Sequence, residues 1–359
     1  MAFLHFKNVR IAGLAAGVPK QIGSNLDSSL HNISEEYKPE AFVEATGVLE
    51  RHISDNLTTS DLGYEAAEKL IADLGWDKKD VEALIFVSQT ADYIFPATAC
   101  ILQDRLGLSK ECYAADVALG CSGWIYGLSY VSGLMGAGTI KKAILIAGDA
   151  KPRFRCVVNP LFGHAATATA LEYSESDDGF MFHFGTDGSG YDAIITPDGG
   201  SRNQTTSESF NKEMIDGREI NRLQGRMKGM DVFAFGISTA PKSIKKLAEH
   251  YGFDYQDADY FVFHQANMKM NNTIVKKLKL DTEKVPSSMY HFGNTSSASI
   301  PLTIVTQLKG KIEHQPTKFI CCGFGVGLSW GTVAFKTKSI TISDLVEVSD
   351  EDADKEHVI

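Results

Sequence analysis

Apolar positions along the chain fall into short blocks that switch between a helical and a strand-like spacing. Ala66, Leu70, Ile71 and Leu74 mark one face of a helix, and Gly75 stands where a helix commonly ends. Trp76-Asp77-Lys78-Lys79-Asp80 then leads into the unbroken apolar run Ala83-Leu84-Ile85-Phe86-Val87, the pattern of a strand covered on both faces. The same order returns later. Ile244, Leu247, Ala248 and Tyr251 mark a second helical face, Gly252 stops it, and Phe253-Asp254-Tyr255-Gln256-Asp257 leads into Tyr260-Phe261-Val262-Phe263-His264. From Gly75 and Gly252 onward the two segments align without a gap, with Gly, aromatic, Asp, Asp and Phe in register.

The echo extends further. A strand over 113–118 runs into the tight turn Gly120-Cys121-Ser122-Gly123 and a helix carrying Trp124, Leu128 and Val131, followed by a strand over 143–147. In the second half the turn Gly293-Asn294-Thr295-Ser296 precedes a helix over 300–308 and a strand over 318–322. Strands alternating with helices predict an α/β fold with a mostly parallel sheet and helices on both faces. Chance similarity between two ordinary helix–strand units would explain the first pair of segments; the repeated order of several elements favours a duplication. The expected halves are 1–187 and 188–338, with a site where they meet. Residues 339–359 are crowded with Glu347, Asp350, Glu351, Asp352, Asp354 and Glu356, and read as a solvated, frayed end.

Composition narrows the classes. The chain has 359 residues and a net charge of −10, which makes it a poor binder of nucleic acid, whose phosphates need Lys and Arg. No run reaches the roughly 18 apolar residues of a membrane helix, and the start of the chain, broken by Lys7 and Arg10, carries no signal-peptide pattern. No membrane insertion is expected. The six cysteines (Cys100, Cys112, Cys121, Cys156, Cys321, Cys322) show no CxxC spacing, so neither a zinc site, a metal of another kind nor a disulfide framework is expected; a reducing cytoplasm is the simplest home.

Three residues carry candidate chemistry. Cys121 sits where a strand turns through glycine into a helix, a place where backbone N–H groups and the positive end of the helix dipole favour thiolate and hold a thiol below its usual pKa of about 8.5. Gly120, Ser122 and Gly123 leave room for a carbonyl to approach. A small core cysteine is the plainer reading of the residue alone. His264 ends an apolar strand, where open α/β sheets place ligands, and Asn294 lies in a turn; a satisfied core histidine and a turn-forming asparagine are the ordinary readings of each. Together they place Cys, His and Asn at three strand-to-helix junctions of a duplicated fold.

At these residues the chain resembles the 3-oxoacyl-ACP synthase III family of the thiolase superfamily. The matching segments are Asp116-Val117-Ala118-Leu119-Gly120-Cys121-Ser122-Gly123, His264-Gln265-Ala266-Asn267 and Gly293-Asn294-Thr295-Ser296-Ser297-Ala298-Ser299-Ile300-Pro301. Thr46-Gly47-Val48, Phe95-Pro96-Ala97-Thr98-Ala99-Cys100 and Gly323-Phe324-Gly325-Val326-Gly327-Leu328-Ser329-Trp330-Gly331 support them, and the match spans about residue 8 to about residue 336. The resemblance implies a thiolase-like duplicated fold of five layers, αβαβα, and a homodimer. It implies that Cys121 takes an acyl group from a thioester and that His264 and Asn294 act on a malonyl-type ACP thioester, giving a 3-oxoacyl product by decarboxylative condensation. The Cys121 amide and an amide at Gly325 or Val326 are the candidate oxyanion donors, and Phe95 and Phe324 the acyl-pocket residues, with Phe95 reaching across the dimer. No cofactor is implied; substrates arrive as ACP phosphopantetheine or CoA thioesters. Cys321 and Cys322, near the second catalytic cysteine of a true thiolase, read as inert core thiols in a buried strand.

The chain departs from the family where its best-known members grip CoA with a Trp and an Arg. Here Ala41 and Ala45 occupy those positions, which favours an acyl carrier protein as donor, with acyl-CoA held differently if at all. Phe162-Gly163-His164 departs from a usual Gly-Asp pair. Lys269, Lys276 and Lys277, at helical spacing after His264, would offer one cationic face to an acidic carrier; an ordinary solvated face explains the same charges. Arg218, Arg222, Arg226 and Lys228 form a second basic stretch, whose flanking Gly225 and Gly229 weaken a helical reading. Two other functions fit the same residues: acyl transfer to an alcohol, amine or non-malonyl carbanion, and a non-catalytic partner subunit.

Overall fold

A computed structural model of the chain describes residues 2–27, 38–150, 159–175, 179–215 and 218–355. Cys156 lies outside them. Two sheets stack face to face. The first orders its main strands Val9–Pro19, Ala165–Tyr173, Lys142–Asp149, Ala83–Val87 and Tyr113–Val117; the second orders Phe180–Thr186, Ser329–Thr337, Thr317–Gly325 and Tyr260–Phe263. The four strands of the second sheet follow the order of the first four of the first, so the duplication extends to topology, while Tyr113–Val117 has no counterpart among the described residues. Both repeat segments share local detail. Gly75 and Gly252 each close their helix in the left-handed conformation, which glycine adopts without a Cβ penalty, and Asp77 and Asp254 each accept a hydrogen bond from the amide two residues on.

The helices Gly123–Met135 and Ser299–Leu308 lie between the sheets, and Thr59–Leu74, Thr98–Arg105, Gly229–Tyr251 and Met268–Leu278 cover the outer faces. Sequence explains the placement. The two middle helices bury residues around most of their circumference (Trp124, Ile125, Leu128, Val131 and Met135; Ile300, Leu302, Ile304, Val305 and Leu308), as a helix packed on two sides must. The outer helices have one apolar stripe. The result is the five-layered αβαβα arrangement. No helix among the described residues is long and apolar enough to cross a membrane.

Two expectations need correction. The boundary between halves falls before Phe180, not after residue 187, because Phe180–Thr186 is a strand of the second sheet. The ends of the chain also cross over: Ala2–Phe6 pairs with Phe180–Thr186 in the second sheet, whereas Thr341–Ile342 and Val346–Val348 pair in parallel with Val9–Pro19 in the first. The acidic end is therefore not frayed through residue 355. Val348 is only 2% exposed, Asp350 accepts hydrogen bonds from Ser54 and Asn56, and Asp354 pairs with Arg105 at 3.4 Å. The sparse valines and isoleucines of this stretch fill the sheet edge, while its carboxylates meet specific partners, a division that acidic composition conceals.

The second basic stretch is not a helix either. It forms the short strands Arg218–Ile220 and Arg226–Met227, with Arg222 paired to Asp198, Arg226 to Glu213 and Lys228 to Asp192.

Candidate active site

Cys121 lies just ahead of the Gly123–Met135 helix, in a turn closed by a 2.6 Å hydrogen bond from the Gly123 amide to the Gly120 carbonyl. Its thiol is not disulfide-bonded and is partly exposed. The Thr317–Gly325 strand from the other half passes directly against it. A Cβ on Gly325 would stand 2.6 Å from the Cys121 Cβ and 2.9 Å from its Sγ, and one on Gly323 would stand 2.9 Å from the Cys121 carbonyl oxygen. Glycine at both positions is thus a condition of the sulfur's placement. Ser122 Oγ lies 2.7 Å from Ser329 Oγ, which donates to the Val326 carbonyl, tying the 325–329 turn to the helix start. The amides of Cys121, Gly325 and Val326 are held in this neighbourhood. Gly325→Ala is expected to displace the sulfur and slow its acylation about a hundredfold, the usual scale for an ångström-sized misplacement, while circular dichroism stays native; acylation kinetics by intact mass check it.

His264 continues the Tyr260–Phe263 strand, its amide donating to the Cys322 carbonyl at 2.9 Å. The ring is buried, edge-on to Phe324, with Nδ1 2.8 Å from Ser299 Oγ. Ser299 Oγ also accepts from the Gln265 amide at 3.4 Å, so its own proton is available to Nδ1. The proton of the neutral ring then sits on Nε2. Burial, opposed by a hydrogen bond with the Ser296 backbone, pushes the His264 pKa down to about 3. Between that value and the ordinary ~6.5 the unfolded chain binds a proton that the native chain does not, so this histidine lowers stability as pH falls through that window. An NMR titration of the His264 ring is expected to show no protonation from pH ~8 down to pH ~5; an inflection near the ordinary value would contradict the assignment.

Asn294 is buried as well. Its Oδ1 accepts from the Ser296 amide at 2.9 Å, its amide donates to the Leu161 carbonyl and its carbonyl accepts from Gly163. With Oδ1 engaged inside the turn, Nδ2 is the end left to donate outward. The unusual Phe162-Gly163-His164 segment therefore supports Asn294 through backbone contacts, including the bridge between Phe162 and Asn294.

Ser296, which the sequence pattern did not single out, joins the three turns. It donates to Asn294 Oδ1, its backbone bonds to His264, and its Oγ is 3.3 Å from where a Gly120 Cβ would stand, beside Cys121. It adopts a left-handed φ of 53°. Ser299 was missed for the same reason: within the run Thr295–Ser296–Ser297–Ala298–Ser299, hydroxyls look like ordinary turn residues. Cys321 and Cys322 are fully buried, and burial raises both thiol pKa values, that of Cys322 to about 12. They are inert core residues, as expected.

The remaining candidates separate. Lys269 and Lys276 line a groove of about 700 Å³ together with Ala41, Ala45, Glu44 and Met268, between the helices Pro39–Thr46 and Met268–Leu278. Lys277 does not share that face: its Nζ donates to the Ile237 carbonyl of the neighbouring Gly229–Tyr251 helix. The i, i+7, i+8 spacing puts Lys277 about 100° round from Lys276, enough to reach the other neighbour. Phe95 stands on an exposed tip, 84% accessible, beside Ile94 at 92%. Phe324 is buried in the core of the second half, where it packs on the His264 ring and on Gly236 instead of lining an open channel.

A five-layered duplicated fold with a cysteine at a helix start in one half, and a buried, neutral histidine and a buried asparagine in turns of the other, defines a thiolase-like acyl-transferring enzyme. Family profiles for 3-oxoacyl-[acyl-carrier-protein (ACP)] synthase III match residues 115–188, and for its C-terminal part residues 248–337. The chain is similar to a beta-ketoacyl-[acyl-carrier-protein] synthase III of Clostridium perfringens, 31% identical with 92% of this chain and 99% of that protein covered, and to one of Campylobacter fetus, 33% identical with 92% and 98% covered. The crystal structure of a 3-oxoacyl-(acyl-carrier protein) synthase from Burkholderia xenovorans superposes with a TM-score of 0.88 at 35% identity, over 97% of this chain and 99% of that one. The chain belongs to the 3-oxoacyl-ACP synthase III family, and is a condensing enzyme of the kind that serves fatty-acid biosynthesis.

Proposed function

We propose that Cys121 accepts an acyl group from an acyl-carrier-protein thioester and that His264 and Asn294 drive its condensation with a malonyl thioester. In the first step the Cys121 sulfur bonds to the donor carbonyl carbon, the donor C–S bond breaks, and the carrier thiol leaves with a proton. In the second, the malonyl C–CO₂ bond breaks, carbon dioxide leaves, and negative charge develops on the thioester oxygen. The His264 Nε2–H, turning from the Ser296 backbone, and the Asn294 Nδ2–H are two neutral donors suited to that charge. The enolate carbon then bonds to the acyl carbonyl, the bond to Cys121 breaks, and the released thiolate takes up a proton.

The convergence of the three turns on Ser296 is the observation that carries this reading. No cofactor takes part. The carrier preference is supported by the groove: Ala41 and Ala45 offer a nucleotide neither an aromatic face nor a guanidinium, while Lys269 and Lys276 provide positive charge for an acidic partner.

Intact-mass measurement after exposure to acyl-ACP and acyl-CoA tests the donor, and assay of carbon dioxide with malonyl-ACP tests the acceptor. Faster labelling of Cys121 by acyl-ACP, with carbon dioxide and a two-carbon-longer 3-oxo product, supports the proposal. Labelling by short acyl-CoA alone overturns the donor assignment. An acyl-enzyme that releases no carbon dioxide points to another acceptor. Lys276→Glu is expected to raise the KM for the carrier substrate about fivefold at low salt.

A homodimer is supported by another surface. Tyr113–Val117 forms the open edge of the first sheet, with Tyr113 exposed, and Ile94 and Phe95 project from the tip nearby in sequence. Pairing that edge with a second copy would cover it and give Phe95 an apolar seat.

A further inference from the structure

Gln89 closes the strand Ala83–Val87 on the side of the nucleophile. Its side chain is exposed, and its Oε1 and Cδ lie 2.2 Å and 2.8 Å from the point where a Cβ on Gly120 would stand. Ser296 Oγ approaches the same point. The carboxamide therefore rests on the backbone next to Cys121, between the nucleophile turn and the Asn294–Ser296 turn. Among the described residues it takes no hydrogen-bond partner, although its backbone is tightly held. Asp149 Oδ1 accepts from the Gln89 amide at 2.8 Å and from the hydroxyls of Ser88 and Thr90, both at 3.1 Å, and Thr90 Oγ1 meets Thr59 Oγ1 at 2.7 Å.

An unengaged amide beside a nucleophile, carried on a tightly held backbone, discriminates between substrates. An alkyl chain laid across it would leave both ends unpaired, whereas an oxygen-bearing group would satisfy it. We infer that Gln89 is a specificity-determining residue whose carboxamide binds an oxygen-bearing group of the substrate within a few atoms of the Cys121 sulfur. That oxygen belongs either to the transferred acyl group, as a 3-hydroxyl, or to the carboxylate of the malonyl acceptor. The inference rests on the reaction proposed above.

Gln89→Leu and Gln89→Glu in the full chain separate the two sources. Cys121 acylation is followed by intact mass with 3-hydroxybutyryl-ACP and butyryl-ACP, and condensation on preloaded enzyme with malonyl-ACP. If the oxygen is on the acyl group, the wild-type chain prefers the hydroxylated donor, Gln89→Leu loses that preference about tenfold, and Gln89→Glu, which can accept from a hydroxyl, keeps much of it. If it is the acceptor carboxylate, acylation is unchanged, Gln89→Leu raises the malonyl-ACP KM about tenfold, and Gln89→Glu raises it more through like-charge repulsion. Either pattern supports the inference. Ratios that move less than about twofold in both arms overturn it, as does a change in the oligomeric mass of Gln89→Leu, which would make the side chain a subunit contact. A wild-type chain that takes no acyl group onto Cys121 overturns the proposed reaction and this inference with it. A wild-type chain that acylates and condenses, with both variants indistinguishable from it, overturns this inference alone.

Discussion

Replacing Cys121 with alanine is expected to abolish the acyl-enzyme and lower turnover by roughly four orders of magnitude or more, the scale on which covalent nucleophiles act. Three of the other thiols are poor substitutes. Cys321 and Cys322 are fully buried, and burial pushes the Cys112 thiol up to about 11. The substitution removes one sulfur from a partly exposed position, so the folded state should persist. Intact mass after incubation with acyl-ACP is the measurement. An adduct of undiminished yield on another residue would identify a different nucleophile.

Asn294→Asp is expected to separate the two half-reactions. The aspartate keeps an oxygen for the Ser296 amide, so the turn should hold, but it exchanges the Nδ2 donor for negative charge where the enolate develops. Acylation of Cys121 should stay within a few-fold of normal, while carbon dioxide release falls about a hundred- to a thousandfold, as when an oxyanion donor is lost. His264→Ala should share the pattern. Adduct mass and carbon dioxide release, measured on the same preparation, decide the matter; unimpaired release from Asn294→Asp would remove the donor pair from the mechanism.

Much of this was legible in the chain. Strands buried on both faces announce themselves as continuous apolar runs, and the helix-to-strand connections at Gly75 and Gly252 repeat because the same left-handed cap and aspartate turn are built twice. Cys121 and His264 could be located because one precedes a helix and the other ends a strand; Asn294 follows the short helix Met289–Phe292 instead of the expected strand, and its family motif located it. What escaped depends on contacts between distant segments. Ser296 matters because three turns meet on it, and Gly325 because a sulfur from the other half lies against its backbone. Lys277 departs from Lys269 and Lys276 because the helix is wedged between different elements on its two sides. The edge strands at both ends of the chain were obscured by their brevity, and in the acidic stretch the few apolar residues were outnumbered by charge.

The exchange of edge strands has a consequence for how this polypeptide is made. Its first sheet receives its last members only when residues 341–348 have left the ribosome, and its second holds an edge position for residues 2–6, which emerge ahead of both halves. Neither half is finished before both segments exist. Each is stitched by a terminus belonging to the other, so the halves should unfold in one cooperative transition, and a version cut between them should assemble only when both fragments are present together.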